Sequence, residues 1–160
     1  RSAPEDALRQ LRRAYETRSL DLLSGVLSAD YRFHTSDAMV GQYWLGADRG
    51  FELESAGNLF SGQAPGNPGS VSGPPRLMIS VGPSARGTDP EHPDSTGQYC
   101  VLVAERMEMR VEYRGKPVLH VGPSQHVFHL VRGDAAVLGN GQPADRDHWY
   151  IRRWLENVAR

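Results

Sequence analysis

Apolar and polar residues alternate most regularly between Gln98 and Val131. Met107, Met109, Val111 and Tyr113 fall on one side of this stretch, and Arg106, Glu108, Arg110 and Glu112 on the other. A period of two over that length predicts a strand with one buried and one wet face. Tyr113-Arg114-Gly115-Lys116-Pro117 is rich in turn formers, so a second long strand is expected to return antiparallel to the first. Strands this long in a chain of 160 residues imply a bent sheet, with helices on its apolar side and a hollow between them.

Toward the N-terminus the spacing becomes helical. Ser2 reads as an N-cap, with Pro4 just inside and Glu5 and Asp6 in the first turn. Ala7, Leu8, Leu11, Ala14 and Tyr15 share one face, and Arg9, Arg12, Arg13 and Glu16 the other, as in an amphipathic helix of roughly four turns. Ser19 is expected to cap a shorter helix carrying Leu22, Leu23, Val26 and Leu27, ended by Ala29-Asp30. Tyr31-Arg32-Phe33-His34 follows as a brief strand. Residues 35–47 are irregular, with Trp44 and Leu45 as apolar anchors. Asp48 caps a third helix to about Phe60, with Phe51, Leu53, Ala56, Leu59 and Phe60 as its apolar residues.

Ser61 to Pro75 and Gly82 to Thr96 read as loops flanking a short strand, Leu77 to Val81. After the hairpin, turns at Gly133-Asp134 and Gly139-Asn140-Gly141 lead to a last strand, Asp147 to Leu155. Helices first and antiparallel strands after is an α+β arrangement, with the helices on one face of the sheet and one domain spanning 1–160.

Composition narrows the function classes. Hydrophobic residues make up 39% and charged residues 23%, enough for a core and too apolar for disorder. A net charge of -1 gives no electrostatic case for nucleic acid or an anionic membrane. No apolar run approaches the ~18 residues of a membrane span. Cys100 is the one cysteine, which excludes an intrachain disulfide and a zinc site built from several cysteines; it is expected to be a small buried hydrophobe. The chain starts at Arg1 rather than Met, which fits a cleaved export signal or a truncated chain; a bacterial exported origin, periplasmic or lipoprotein-derived, is favoured over a cytoplasmic one. No glycine-rich phosphate loop or nucleophile elbow is present, and no cofactor is implied.

Three segments carry a family likeness: Ala7-Leu8-Arg9-Gln10-Leu11, then Tyr15-Glu16-Thr17-Arg18-Ser19-Leu20-Asp21-Leu22-Leu23, then Leu27-Ser28-Ala29-Asp30-Tyr31-Arg32-Phe33. Together they resemble the start of the NTF2-like (SnoaL-like) superfamily, and Trp149-Tyr150-Ile151-Arg152-Arg153-Trp154 resembles its closing strand. The resemblance implies a cone-like α+β fold with a pocket between helices and curved sheet, frequent dimers, and functions from enzymes to proteins without known catalysis. In the steroid-isomerase branch of that family a general-base Asp follows the second helix; here that position is Thr35, with Asp37 two residues later. The branch's oxyanion-binding Tyr falls at Leu11, one turn from Tyr15, and Val118 to Val131 holds no acid to match its second oxyanion group. The dehydratase and epoxide-hydrolase sets find no match either.

His34 and Asp37 are the candidate acid/base pair, placed near the mouth of the expected pocket, against a plain role at a strand edge and a turn. His120 and His126 have even spacing and are expected on one face, with His129 on the other; no carboxylate in the strand completes a metal set, so no metal is expected. Tyr15, Tyr31, Trp44, Phe60, Met107, Met109, His126 and Phe128 are the candidate ligand-lining residues, with core packing as the competing role for the aromatics. Arg106, Arg110, Arg152 and Arg153 among Glu105, Glu108 and Glu112 suggest a cross-strand ion-pair face; the family resemblance implies that a homodimer would form through such a face of the sheet. The favoured expectation is non-catalytic binding of a small hydrophobic ligand, or protein interaction. The alternative is a lyase, isomerase or hydrolase acting on a small hydrophobic substrate, with Tyr15 or His126 as orienters.

Overall fold

The computed structural model describes residues 3–37, 42–62, 75–113, 116–133, 136 and 144–157, with backbone alone for 35–37, 42–47, 116–119 and 121. Ser2, most of the expected loop at 61–75, the turn residues Arg114, Gly115, Asp134 and Gly139-Asn140-Gly141, and the side chains of Asp37 and Trp44 lie outside the described residues.

Helix α1 (Pro4–Glu16) starts at a proline that lacks only an N–H the first turn cannot use. The Asp6 carboxylate accepts from the Ala3 N–H at 2.8 Å. Ala7, Leu8, Leu11, Ala14 and Tyr15 are buried, as their spacing predicts. Ser19 Oγ accepts from the Leu22 N–H at 3.2 Å and opens α2 (Leu20–Ser24). This helix is shorter than expected. Gly25 caps it, and Leu27 already belongs to strand β1 (Leu27–Asp37), paired with Ile151. Pairing to a distant strand overrides the helical spacing of Val26 and Leu27.

Strand β2 (Gln42–Asp48) returns antiparallel to β1, with Thr35 opposite Trp44, where the sequence suggested irregular chain. Asp48 then caps α3 (Arg49–Phe60), its Oδ1 accepting from the Phe51 N–H at 2.8 Å. Ala56 and Phe60 are buried, but Phe51 is 58% exposed. The helix turns Glu52, four residues before Ala56, toward the core instead.

The remaining strands are β3 (Arg76–Val81), β4 (Ser84–Gly87), β5 (Tyr99–Tyr113), β6 (Lys116–Arg132) and β7 (Trp149–Asn157). β4 falls in an expected loop; it takes up the edge of β5 beyond the end of β3, with Ala85 opposite Val103. The sheet order is β2-β1-β7-β6-β5-β3. Neighbours are antiparallel except β1 and β7, which run parallel, so the sheet is mixed where a purely antiparallel one was expected.

Two irregularities bend it. The β5–β6 register shifts between Ala104 and Met107 and again between Met107 and Met109. Bulges re-aim side chains and sharpen the local twist. Leu102 and Ala104 therefore face the helices on one side of the bend, and Met107, Val111 and Tyr113 on the other, although the two sets have opposite parity. Gly122 sits in the facing strand at φ +84°, and a Cβ there would stand 2.5 Å from the Met107 carbonyl oxygen. Gly122→Ala should cost about 1–3 kcal/mol in urea unfolding, from the left-handed backbone and the clash; a loss well under the low end would mean that the strands can close up without the bulge.

The bend also separates the histidines. Arg110 faces away from the helices and pairs in register with His120, so His120 lies on the outer face, while His126 lies on the inner one. Even spacing does not put them together, because the bulge intervenes. The helices pack on the inner face, closing a core that includes Tyr31, Leu102, Phe128, Leu130 and Ile151. Cys100 is buried in the same core.

Candidate functional site

A cavity of about 180 Å³ lies between the helices and the bent part of the sheet. Tyr15 of α1 and Glu52 of α3 form its helical wall; Phe33, Ile79, Met107 and Met109 supply apolar surface from the strands. His126, Trp154 and Glu156 close the far side, and Glu108 stands at the rim.

Glu52 is the polar centre of the helical wall. Tyr15 donates its hydroxyl to Glu52 Oε1 at 2.9 Å. Burial pushes the Glu52 carboxyl above the usual carboxylate range, and the Tyr15 bond offsets part of that. Burial first, and then the Glu52 charge, raises the Tyr15 phenol. Tyr31 responds in the same way, and its buried hydroxyl has no hydrogen-bond partner among the described residues. Glu156, carried by the last strand, is raised by burial too. Glu108 differs: its bond to His120 at 2.9 Å holds its carboxyl low.

His126 is fixed in one protonation state by its neighbours. The Trp154 indole N–H donates to His126 Nδ1 at 2.7 Å. An indole can only donate, so Nδ1 must be bare and Nε2 must carry the proton, which it offers to Ser124 Oγ at 3.0 Å. Burial pushes this imidazole down to about 4. At neutral pH it is an uncharged wall, with its lone pair already engaged.

Of the candidate ligand-lining residues, the cavity brings together Tyr15, Met107, Met109 and His126. Tyr31 and Phe128 are fully buried behind it, and Phe60 packs edge-on against Tyr15 with ring centroids 5.4 Å apart. Trp44 lies in β2, opposite Thr35. His34 does not line the cavity: Phe33 points inward, so its neighbour on the strand points out. Burial first, then Arg153 and Arg32, lower the His34 imidazole there. Arg152 leaves the expected ion-pair face; it is buried and donates to Glu91.

Sequence reading missed Phe33, Glu52, Ile79, Glu108 and Glu156 as lining residues. Glu52 had a legible signal: with Ala56 and Phe60 it makes a stripe at spacings of four, one acid among apolar residues.

No protein-family model matches the sequence, and no curated protein does. Solved structures do match. A protein of unknown function from Mycobacterium tuberculosis, solved as a single-substitution variant, aligns at TM-score 0.62 and 12% identity over 98% of this chain and 69% of that one. An NTF2-like protein of unknown function in nutrient uptake from Rhodospirillum rubrum aligns at TM-score 0.58 and 15% identity, over 99% of this chain and 100% of that one. The chain has the NTF2-like fold. A candidate scytalone dehydratase from Novosphingobium aromaticivorans is also similar, at TM-score 0.59 and 10% identity over 98% of this chain and 81% of that one. At these identities the likeness reaches the NTF2-like architecture and goes no further.

Proposed function

We propose that this NTF2-like domain binds a small, mostly apolar molecule in its cone, docked through one uncharged polar group on Glu52. The observation that carries this reading is an apolar-walled cavity whose polar end is a tyrosine-held carboxyl biased toward its neutral form. The Glu52 carboxyl can accept from a ligand hydroxyl or N–H, and an anion would meet no cation among the described lining residues. The volume selects size: an apolar cavity of about 150 Å³ holds benzene, so about 180 Å³ suits a single ring with one or two substituents.

Turnover is the second reading, favoured by one specific observation: Glu52 and Glu156 both line the cavity with raised carboxyls. Such groups serve as general acids or bases near neutral pH. The outward position of His34 moves that role from the His34–Asp37 pair to the two glutamates. The likeness to a candidate scytalone dehydratase supports the reading weakly, through fold alone.

Phenol, cyclohexenone and indole are suitable probes, followed by thermal shift and calorimetry. Binding should raise the unfolding temperature of the native chain. Met109→Trp, which fills the cavity, should abolish the shift; a shift that survives it overturns the cone as the site. Glu52→Gln keeps an acceptor for Tyr15 and removes the acid. A pure binder should lose no more than a few-fold in affinity with that change. A catalyst, once a turned-over compound is found, should keep its affinity and lose about 10²–10⁴-fold in rate.

A further inference from the structure

A second cluster of chemistry-bearing side chains lies outside the cone, where the loop after β4 covers the outer face of β6 and β7. Asp89 is 0% exposed. Its Oδ1 accepts the Glu91 N–H at 2.9 Å, and its backbone carbonyl accepts the His92 N–H at 3.0 Å. These bonds fold the loop so that three side chains converge. Asp89, Glu91 and His92 each offer an atom within 4.8 Å of the others. The His92 ring is stacked flat on Tyr99, with centroids 3.6 Å apart and planes 3° from parallel, which fixes the direction of its nitrogens.

The polar atoms at the centre have no hydrogen-bond partner among the described residues. Asp89 Oδ2, His92 Nδ1 and His129 Nδ1 are all buried in this condition. A buried polar atom left without a good hydrogen bond costs about 1–3 kcal/mol, and these three face one another, both imidazole nitrogens on the one Asp89 oxygen. Asp89 Oδ2 lies 3.6 Å from His92 Nδ1. That is too long for a good hydrogen bond. It is the spacing of two ligands on one ion: metal–oxygen and metal–nitrogen bonds of about 2.0–2.2 Å at a tetrahedral angle separate the donor atoms by about 3.3–3.6 Å.

We propose that Asp89, Glu91 and His92 form a binding site for a divalent transition-metal ion of the Zn²⁺ class. Two carboxylates and an imidazole are the donor types such ions take. His129 Nδ1 lies 3.5 Å from the same Asp89 oxygen, within reach of a hydrogen bond after a small side-chain shift. It is a positioning residue that holds the carboxylate from the strand side. Arg152, 4.0 Å from Asp89 and bonded to Glu91, offsets one of the two negative charges. Two carboxylates against one guanidinium leave the ion a negative charge to meet. A cavity of about 200 Å³ beside His92, Tyr99 and Arg152 gives access from solvent. Strand-based reasoning found no acid to join these histidines; the acids come from the loop.

The test uses the whole chain after chelator treatment, titrated with Zn²⁺ by calorimetry and with Co²⁺ by visible absorption. One equivalent should bind, with the d–d bands of a low-coordinate Co²⁺ site, and the unfolding temperature should rise. His92→Ala, at a partly exposed position, and Asp89→Asn should each weaken binding at least tenfold, His92→Ala with a changed Co²⁺ spectrum. His129→Ala should weaken it about 10–100-fold with the spectrum unchanged. Glu52→Gln, in the cone, should bind normally. Absence of binding, or binding retained within threefold in folded His92→Ala, overturns the proposal. So does binding that follows His34→Ala or His120→Ala instead.

Discussion

Replacing Phe128 with alanine should lower the free energy of unfolding by about 3–5 kcal/mol, the range for removing a large ring from a packed core. Phe128 is 0% exposed and lies at the meeting of β6 and β7. Its ring centroid is 5.3 Å from that of Trp154 and 6.4 Å from that of His126, so it backs the two residues that shape the far wall of the cavity. Domains of this kind have about 5–15 kcal/mol in all, and the variant should be marginal. In urea its midpoint should fall with little change in slope. A loss of less than about 1 kcal/mol would mean that the ring faces the cavity after all, as the sequence alone suggested, since an exposed wall residue leaves little void behind.

Acid should destabilise the chain through His126. The unfolded imidazole takes up a proton as pH falls past 6.5, while the folded one stays neutral until about 4. Over that window the unfolded state binds the extra proton, so the contribution is complete above pH 6.5 and is lost as pH falls toward 4. A difference of about 2.5 pH units corresponds to roughly 3 kcal/mol. The cause is burial of the ring, in a pocket where the Trp154 N–H already takes up Nδ1. Glu52 and Glu156 act in the opposite sense: their raised carboxyls favour folding at low pH, and that contribution fades as pH rises through their folded values. Urea unfolding from pH 4 to 7.5 should therefore show a steeper acid loss in the native chain than in His126→Gln. Equal slopes would show that the imidazole can leave its pocket when protonated.

The parts of this structure that were legible in the sequence are those set by local spacing. Tyr15 and the rest of the inner face of α1, the cap at Asp48 and the inward set Met107, Val111 and Tyr113 follow from periods of 3.6 and 2 alone. What was not legible depends on partners far along the chain. Val26 and Leu27 read as helix until β7 claims Leu27. His120 reads as sharing a face with His126 until the bulge at Gly122 intervenes. On α3 the stripe of Glu52, Ala56 and Phe60 is visible in the spacing, but only packing decides that Phe51 is the residue left outside. The Asp89 cluster is divided: its donors Asp89, Glu91 and His92 are neighbours in one turn-rich loop, but only the sheet brings His129 and Arg152 against them.

The placement of β7 has a consequence for how the chain reaches this shape. It lies in the middle of the sheet, yet it spans residues 149–157. During synthesis β1 and β2 can pair early and β5 and β6 later, but neither ribbon can join the other until β7 emerges from the ribosome. Until then two unfinished edges remain open to wrong partners, so a nascent chain stalled before residue 149 should be a preferred client of chaperones.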